Sequence, residues 1–139
     1  MIVCVDASLV LKLLTREHGS DQALQWLELW AEENIIAPQL LPLEVASVLR
    51  RKMWRGEISA EHCVESLGLL DRLGIRYAWD SGLLDRAFAL AVELGQPTVC
   101  DTAYLALAER EHCDLWTADA RFVAAAAVRY PFVRCLFPM

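Results

Sequence analysis

The chain predicts an α/β fold, a three-layer sandwich with a central parallel sheet of about four to five strands flanked by helices. Two observations carry this. Short apolar runs such as IVCV (2–5) and NIIAP (34–38) alternate with longer segments of helical period. That alternation implies parallel pairing through right-handed helical crossovers. In such sheets, sites gather at the carboxyl ends of the strands.

The elements follow in order. IVCV runs straight into Asp6 and ASLVLKLL, a strand-to-helix transition. Ser20 caps a helix through about Glu33, with Ala23, Leu24, Leu27 and Trp30 on one face. NIIAP is the second strand, closed by proline. A helix from about Gln39 to Trp54 tolerates Pro42 in its first turn and ends at Gly56. Ser59 caps the next, through about Leu73, whose apolar face is Cys63, Leu67, Leu70 and Leu73. IRYAW (75–79) is a third strand, after which Asp80 or Ser81 caps a helix to Leu94, closed by Gly95. Residues 99–111 are helical, DLWTA (114–118) is a strand, 119–128 are helical and FVRCL (132–136) is the last strand. No repeat, low-complexity segment or linker interrupts this series, so 1–139 is expected to be a single domain.

Composition narrows the function. The 139 residues are 56% hydrophobic and 23% charged, as in an ordinary folded protein. No run of 18 apolar residues is present to span a membrane, and the apolar N-terminus lacks the basic flank and cleavage site of a secretion signal. The five cysteines, Cys4, Cys63, Cys100, Cys113 and Cys135, are scattered, odd in number and without zinc-ligand spacing. They suit a reducing cytoplasm. A net charge of −6 and a pI near 5.0 argue against binding nucleic acid by charge alone.

The acids are more informative. Asp6 and Asp119 each end a strand, Asp101 opens a helix, and Glu44 lies one turn into the apolar helix LLPLEVASVL. None has a basic residue at i+3 or i+4. Singly, each aspartate reads as a helix N-cap and Glu44 as a solvated helix residue. Together they are costly, because converging carboxylates repel unless a cation neutralises them. A hard divalent ion with oxygen ligands, Mg²⁺ or Mn²⁺, does so. Of 19 acids and 13 bases, setting four acids aside leaves 15 against 13, so the rest of the surface need not repel a phosphodiester.

The ordered set resembles the PIN-domain family, and within it the VapC-type toxins of toxin–antitoxin operons. The matching stretches are VDASLVLKLL (5–14), PLEVASVLRR (42–51), DTAYLALAER (101–110) and TADARF (117–122). Thr102 stands where alanine is common in the family, and Cys100 where an aromatic is frequent; neither removes a carboxylate. The resemblance covers the whole chain and implies metal-dependent endonucleolytic cleavage of RNA. It implies Asp6, Glu44, Asp101 and Asp119 as the acidic cluster, with Ser8 and Thr117 as supporting hydroxyls. One or two Mg²⁺ or Mn²⁺ ions would be held by Asp6, Asp101 and Asp119. Glu44 would bind metal directly or through water, or orient the nucleophile. It further implies a homodimer and a small antitoxin that blocks the site.

Other features have bland readings. His18, His62 and His112 have no partner spacing and read as surface residues. The basic run RRKMWR (50–55) is a solvated helix end favoured by the macrodipole, or else Arg50, Arg51 and Arg55 contact RNA or an acidic partner. Lys12, one turn beyond Ser8, is a candidate for the mouth of the site. Five tryptophans, with Trp26, Trp30 and Trp54 on amphipathic helices, exceed what a core this size needs, which points to exposure of some of them at an interface. Two rivals stand beside the ribonuclease. A phosphatase-like or receiver-like phosphotransfer domain wants a second aspartate where Ser8 stands, or a late lysine where the strand ends TAD. A PIN fold acting only as a binding module has no need of the complete acid set.

Overall fold

The computed structural model describes residues 1–138. β1 (Ile2–Val5), β2 (Asn34–Pro38), β3 (Arg76–Ala78), β4 (Asp114–Thr117) and β5 (Val133–Cys135) form one parallel sheet in the order β3-β2-β1-β4-β5. The connecting helices are α1 (Ala7–Leu14), α2 (Ser20–Trp30), α3 (Leu41–Trp54), α4 (Ala60–Arg72), α5 (Ser81–Glu93), α6 (Cys100–Glu111) and α7 (Ala120–Ala126). The expected α/β sandwich is therefore present, with five strands.

Register fixes the centre of the sheet. Cys4 of β1 pairs with Ile36 of β2 on one side and Leu115 of β4 on the other. The Cys4 thiol donates to the carbonyl oxygen of Tyr104 on α6 at 3.7 Å, so alternate β1 side chains face that helix and Val3 and Val5 face away from it. Residues Thr102 to Ala108 of α6 are all buried, which explains why DTAYLALA lacks a polar face. Thr102 satisfies its hydroxyl within this apolar setting by donating to the carbonyl oxygen of Ala87 at 2.7 Å. Helix α5 packs against α6, while α1 packs against α2, α3 and α4.

Some boundaries and faces differ from expectation. Helix α3 starts at Leu41 rather than Gln39, because the Gln39 amide still donates to the Ala78 carbonyl and prolongs the pairing with β3. On α4 the buried positions are Ser66 and Leu70, and Leu67 is exposed. The Ser66 hydroxyl donates to the carbonyl oxygen of Leu14 at 3.1 Å, which turns the inner face of α4 by one position. Trp26 is buried and stacks on Trp30 at 6.3 Å, so neither serves as a free surface tryptophan; Trp54 is 78% exposed. His62 is partly enclosed rather than fully on the surface. No described helix is long and apolar enough to cross a membrane, and all five cysteines are free thiols.

Candidate active site

The chain leaves β1 toward β2 and β3, then returns to β4 on the other side of β1. The carboxyl ends of β1 and β4 therefore flank the switch point, where an open parallel sheet offers a crevice. Asp6 follows β1 directly, and Thr117 and Asp119 lie at the end of β4.

Asp6 is 6% exposed and held on both oxygens. Its Oδ1 accepts from the Ser8 hydroxyl at 2.7 Å and from the Leu9 amide at 3.1 Å, which caps α1. Its Oδ2 accepts from the Thr117 hydroxyl at 2.5 Å. Ser8 Oγ lies 3.2 Å from Thr117 Oγ1 and accepts from the Ala118 amide at 3.0 Å. Thr117 Oγ1 in turn accepts from the Asp119 amide at 3.0 Å. One network of hydroxyls and amides thus ties the ends of β1 and β4 together. No lysine or arginine enters it.

The other acids arrive from separate elements. Glu44 sits in the first turn of α3, where its Oε1 accepts from the Tyr104 hydroxyl at 2.6 Å. Asp101 lies in the first turn of α6 but caps nothing, since that helix has no side-chain cap. Asp119 caps α7, its Oδ1 accepting from the Arg121 and Phe122 amides at 3.0 and 3.2 Å. Asp6, Glu44, Asp101 and Asp119 all line one cavity of about 180 Å³, together with Ser8 and Tyr104. A cavity of about 440 Å³ lies elsewhere, beside Met1, Ile2 and Trp30 at the amino ends of the strands, but no such network converges on it.

Burial and mutual repulsion shape the electrostatics. Burial raises the Asp6 carboxyl from 3.8 to about 6, against the pull of Thr117, Ser8 and the Leu9 amide, and Asp101 adds to the rise. Desolvation also raises Asp101, reinforced by Asp119. Glu44 rises by desolvation; the Tyr104 hydrogen bond opposes this and Asp101 adds to it. The four carboxylates therefore sense one another, with Asp101 at the centre.

The donor set suits a hard divalent cation: carboxylates and hydroxyls, without imidazole. Among the described residues, no three His, Cys, Asp or Glu side chains are drawn together as a ready-made ion cage. That geometry is compatible with Mg²⁺, which keeps several waters and takes one or two carboxylates alongside substrate phosphate oxygens.

Of the sequence-predicted residues, the fold gathers Asp6, Ser8, Glu44, Asp101, Thr117 and Asp119. Lys12 is a correction. Its ammonium binds Glu17 at 3.1 Å and the His18 carbonyl at 2.7 Å, and it lines a different cavity with Arg16 and Ser20. Glu17 lies in the α1–α2 turn and captures the lysine away from the site. Tyr104 escapes sequence reasoning, because in TAYLALA it reads as one more core residue; its position three residues after Asp101 is the available signal. Arg50 and Arg51 are exposed in the second half of α3, and Arg55 is exposed at its C-cap.

Residues 3–128 match the family model described as PIN domain. Ribonuclease VapC9 of Mycobacterium tuberculosis is 30% identical over 130 residues, covering 94% of this chain and 95% of that protein. A VapC ribonuclease of Mycobacterium bovis matches to the same extent. Among solved structures, VapC20 of M. tuberculosis, described as a Sarcin-Ricin loop cleaving toxin, superposes with a TM-score of 0.69 at 17% identity. That match covers 89% of this chain and 95% of the toxin. A toxin–antitoxin complex from Klebsiella pneumoniae gives 0.69 at 17% identity, with 99% of each chain covered. At such identities the structural likeness speaks to the fold alone.

Proposed function

Because this chain belongs to the PIN-domain family, we propose that it is a divalent-metal-dependent endoribonuclease, the toxin of a toxin–antitoxin pair. The observation that carries the proposal is the buried Asp6 carboxylate. It is held on both oxygens by neutral donors and faces three further acids with no basic side chain in its network. A protein gains nothing in stability from such repulsion, and a bound cation relieves it.

Asp6, Asp101 and Asp119 are assigned as ligands of Mg²⁺ or Mn²⁺, with Glu44 either a direct ligand or acting through water. The ion, when bound, supplies a nucleophile at neutral pH and offsets charge on the phosphate under attack. Ser8 and Thr117 fix the Asp6 carboxylate in one orientation, so its position does not depend on the ion. Tyr104 holds Glu44 toward the cavity. The naming of the relatives supports an antitoxin as the protein partner and RNA as the substrate; a homodimer in the cytoplasm is part of the same proposal.

The test is RNA cleavage in Mg²⁺ or Mn²⁺ by the wild type and by Asp6→Asn and Glu44→Gln. Loss of a metal ligand is expected to lower the rate by two orders of magnitude or more, about 10²-fold at least. Full activity in Asp6→Asn would sink the assignment. Calorimetric titration with Mg²⁺ separates the catalytic protein from a mere scaffold, which would bind none.

A further inference from the structure

We propose that the face of α3 from Glu44 to its C-cap, Arg55, is a subsite for single-stranded RNA, seating backbone phosphates that flank the one being cut. It rests on the ribonuclease reading and extends it beyond the acids. Glu44, Val48, Arg51 and Arg55 are spaced four, three and four residues apart, which puts them in one row on the helix. Glu44 and Val48 line the acid cavity. The same two residues line a second groove, of about 380 Å³, which continues past Ser47 to Arg51 over an apolar floor that includes Leu40 and Leu43. Glu44 and Val48 therefore stand between the acid cavity and the groove that Arg51 lines. At 1.5 Å per residue, Arg51 stands about 10 Å along the helix from Glu44.

Charge selects the occupant. A phosphodiester chain must approach four carboxylates on a protein of net charge −6, so local cations are needed to offset that field. Among the described residues, Arg51 and Arg55 form no ion pair, whereas neighbouring Lys52 is engaged by Glu17 at 3.3 Å. The helix dipole accounts for basic residues near the α3 carboxyl end. It does not account for a guanidinium that lines one groove with Glu44, one of the four acids. Arg50 lies on the adjoining face, 5.3 Å over the Trp54 ring, outside the row.

The experiment measures fluorescence anisotropy of a mixed-sequence single-stranded RNA with Asp6→Asn as a non-cutting parent, across a salt series. Adding Arg51→Ala is expected to weaken binding about tenfold. It should also shallow the log Kd against log salt slope by about 0.7, the change for one phosphate no longer neutralised. Arg55→Ala behaves in the same direction, and Arg50→Ala matches the parent. In the cleaving background, Arg51→Ala raises KM and leaves kcat near wild type. If the wild type cuts RNA while Arg51→Ala and Arg55→Ala match their parents in Kd and slope, the subsite is overturned and the ribonuclease stands. That outcome returns the row to solvent or to a protein partner. A parent that neither binds RNA nor comes from a wild type that cuts it overturns both.

Discussion

The Glu44 carboxylate is 2.6 Å from the Tyr104 hydroxyl, and that single bond decides where the acid points. Tyr104 is 1% exposed, so its ring belongs to the core, and it also lines the acid cavity. Replacing it with phenylalanine keeps the packing and deletes the donor to a charged acceptor, worth roughly 1.5–3 kcal/mol. Tyr104→Phe is expected to fold normally and to lose about tenfold in kcat/KM for RNA. Combined with Glu44→Gln it should add little, since the two act as a unit. Wild-type kinetics in Tyr104→Phe would remove the positioning role. The residue scale also shows where sequence reading succeeds. The four acids stand out because each lacks a basic partner one turn away, a signal that needs no fold. Tyr104 gives no such signal, because a tyrosine in an apolar run is usually core, and here it is core as well. Lys12 misleads for the converse reason: its partner Glu17 sits five residues on in a turn, outside the helical spacings that a sequence search inspects.

At the scale of elements, helix starts are legible almost to the residue where a polar side chain caps them, and less so at α2 and α3, which have no side-chain cap. Asp6, Ser59, Asp80 and Asp119 each accept from a backbone amide at the start of their helix. Faces are less legible. Helix α4 hides Ser66 and shows Leu67, since a buried hydroxyl bonded to the Leu14 carbonyl outweighs the leucine's claim to the interior. Helix α6 reads as apolar all round because β1, β2 and β4 meet one side of it and α5 another. Its alanines are thus spacers that set how close helix and sheet approach. Ala106 is 1% exposed, and Ala106→Leu is expected to cost about 1–3 kcal/mol by overpacking. That corresponds to on the order of 3–10 °C in melting temperature. Ala89, exposed on α5, is the control: Ala89→Leu should stay within about 0.5 kcal/mol of wild type. Equal melting temperatures for the two variants would mean that α6 is not tightly packed between the sheet and α5.

Across the whole molecule, residues 6, 44, 101 and 119 meet because the chain reverses its direction of sheet growth at β1. The sequence shows their order and their strand ends; the strand order that brings them together is a long-range fact that no local pattern encodes. That convergence has a thermodynamic consequence. Native Asp6 holds its proton up to about pH 6, whereas the unfolded chain releases it near 3.8. Between those values the native state binds more protons, so stability falls as pH rises through the interval. For Asp6 alone the loss is about 3 kcal/mol and persists above pH 6. Glu44 and Asp101, also raised, push the same way. Glu17, held low against burial by the Thr15 hydroxyl and then Lys12 and Lys52, and Glu109, held low by Arg86, push the opposite way only at more acid pH. The metal-free protein is therefore expected to be most stable near pH 5 and weaker at pH 7.5. On the proposed metal site, a cation held there would reverse this at pH 7.5, where Mg²⁺ at a hundred times its Kd adds about 2.7 kcal/mol. Asp6→Asn removes both effects: its melting temperature should change less between pH 5 and 7.5 and respond little to Mg²⁺. Melting curves with chelator and with Mg²⁺ at both pH values decide the matter. A wild type that melts higher at pH 7.5 than at pH 5 in chelator would show that the four acids do not repel as their burial requires.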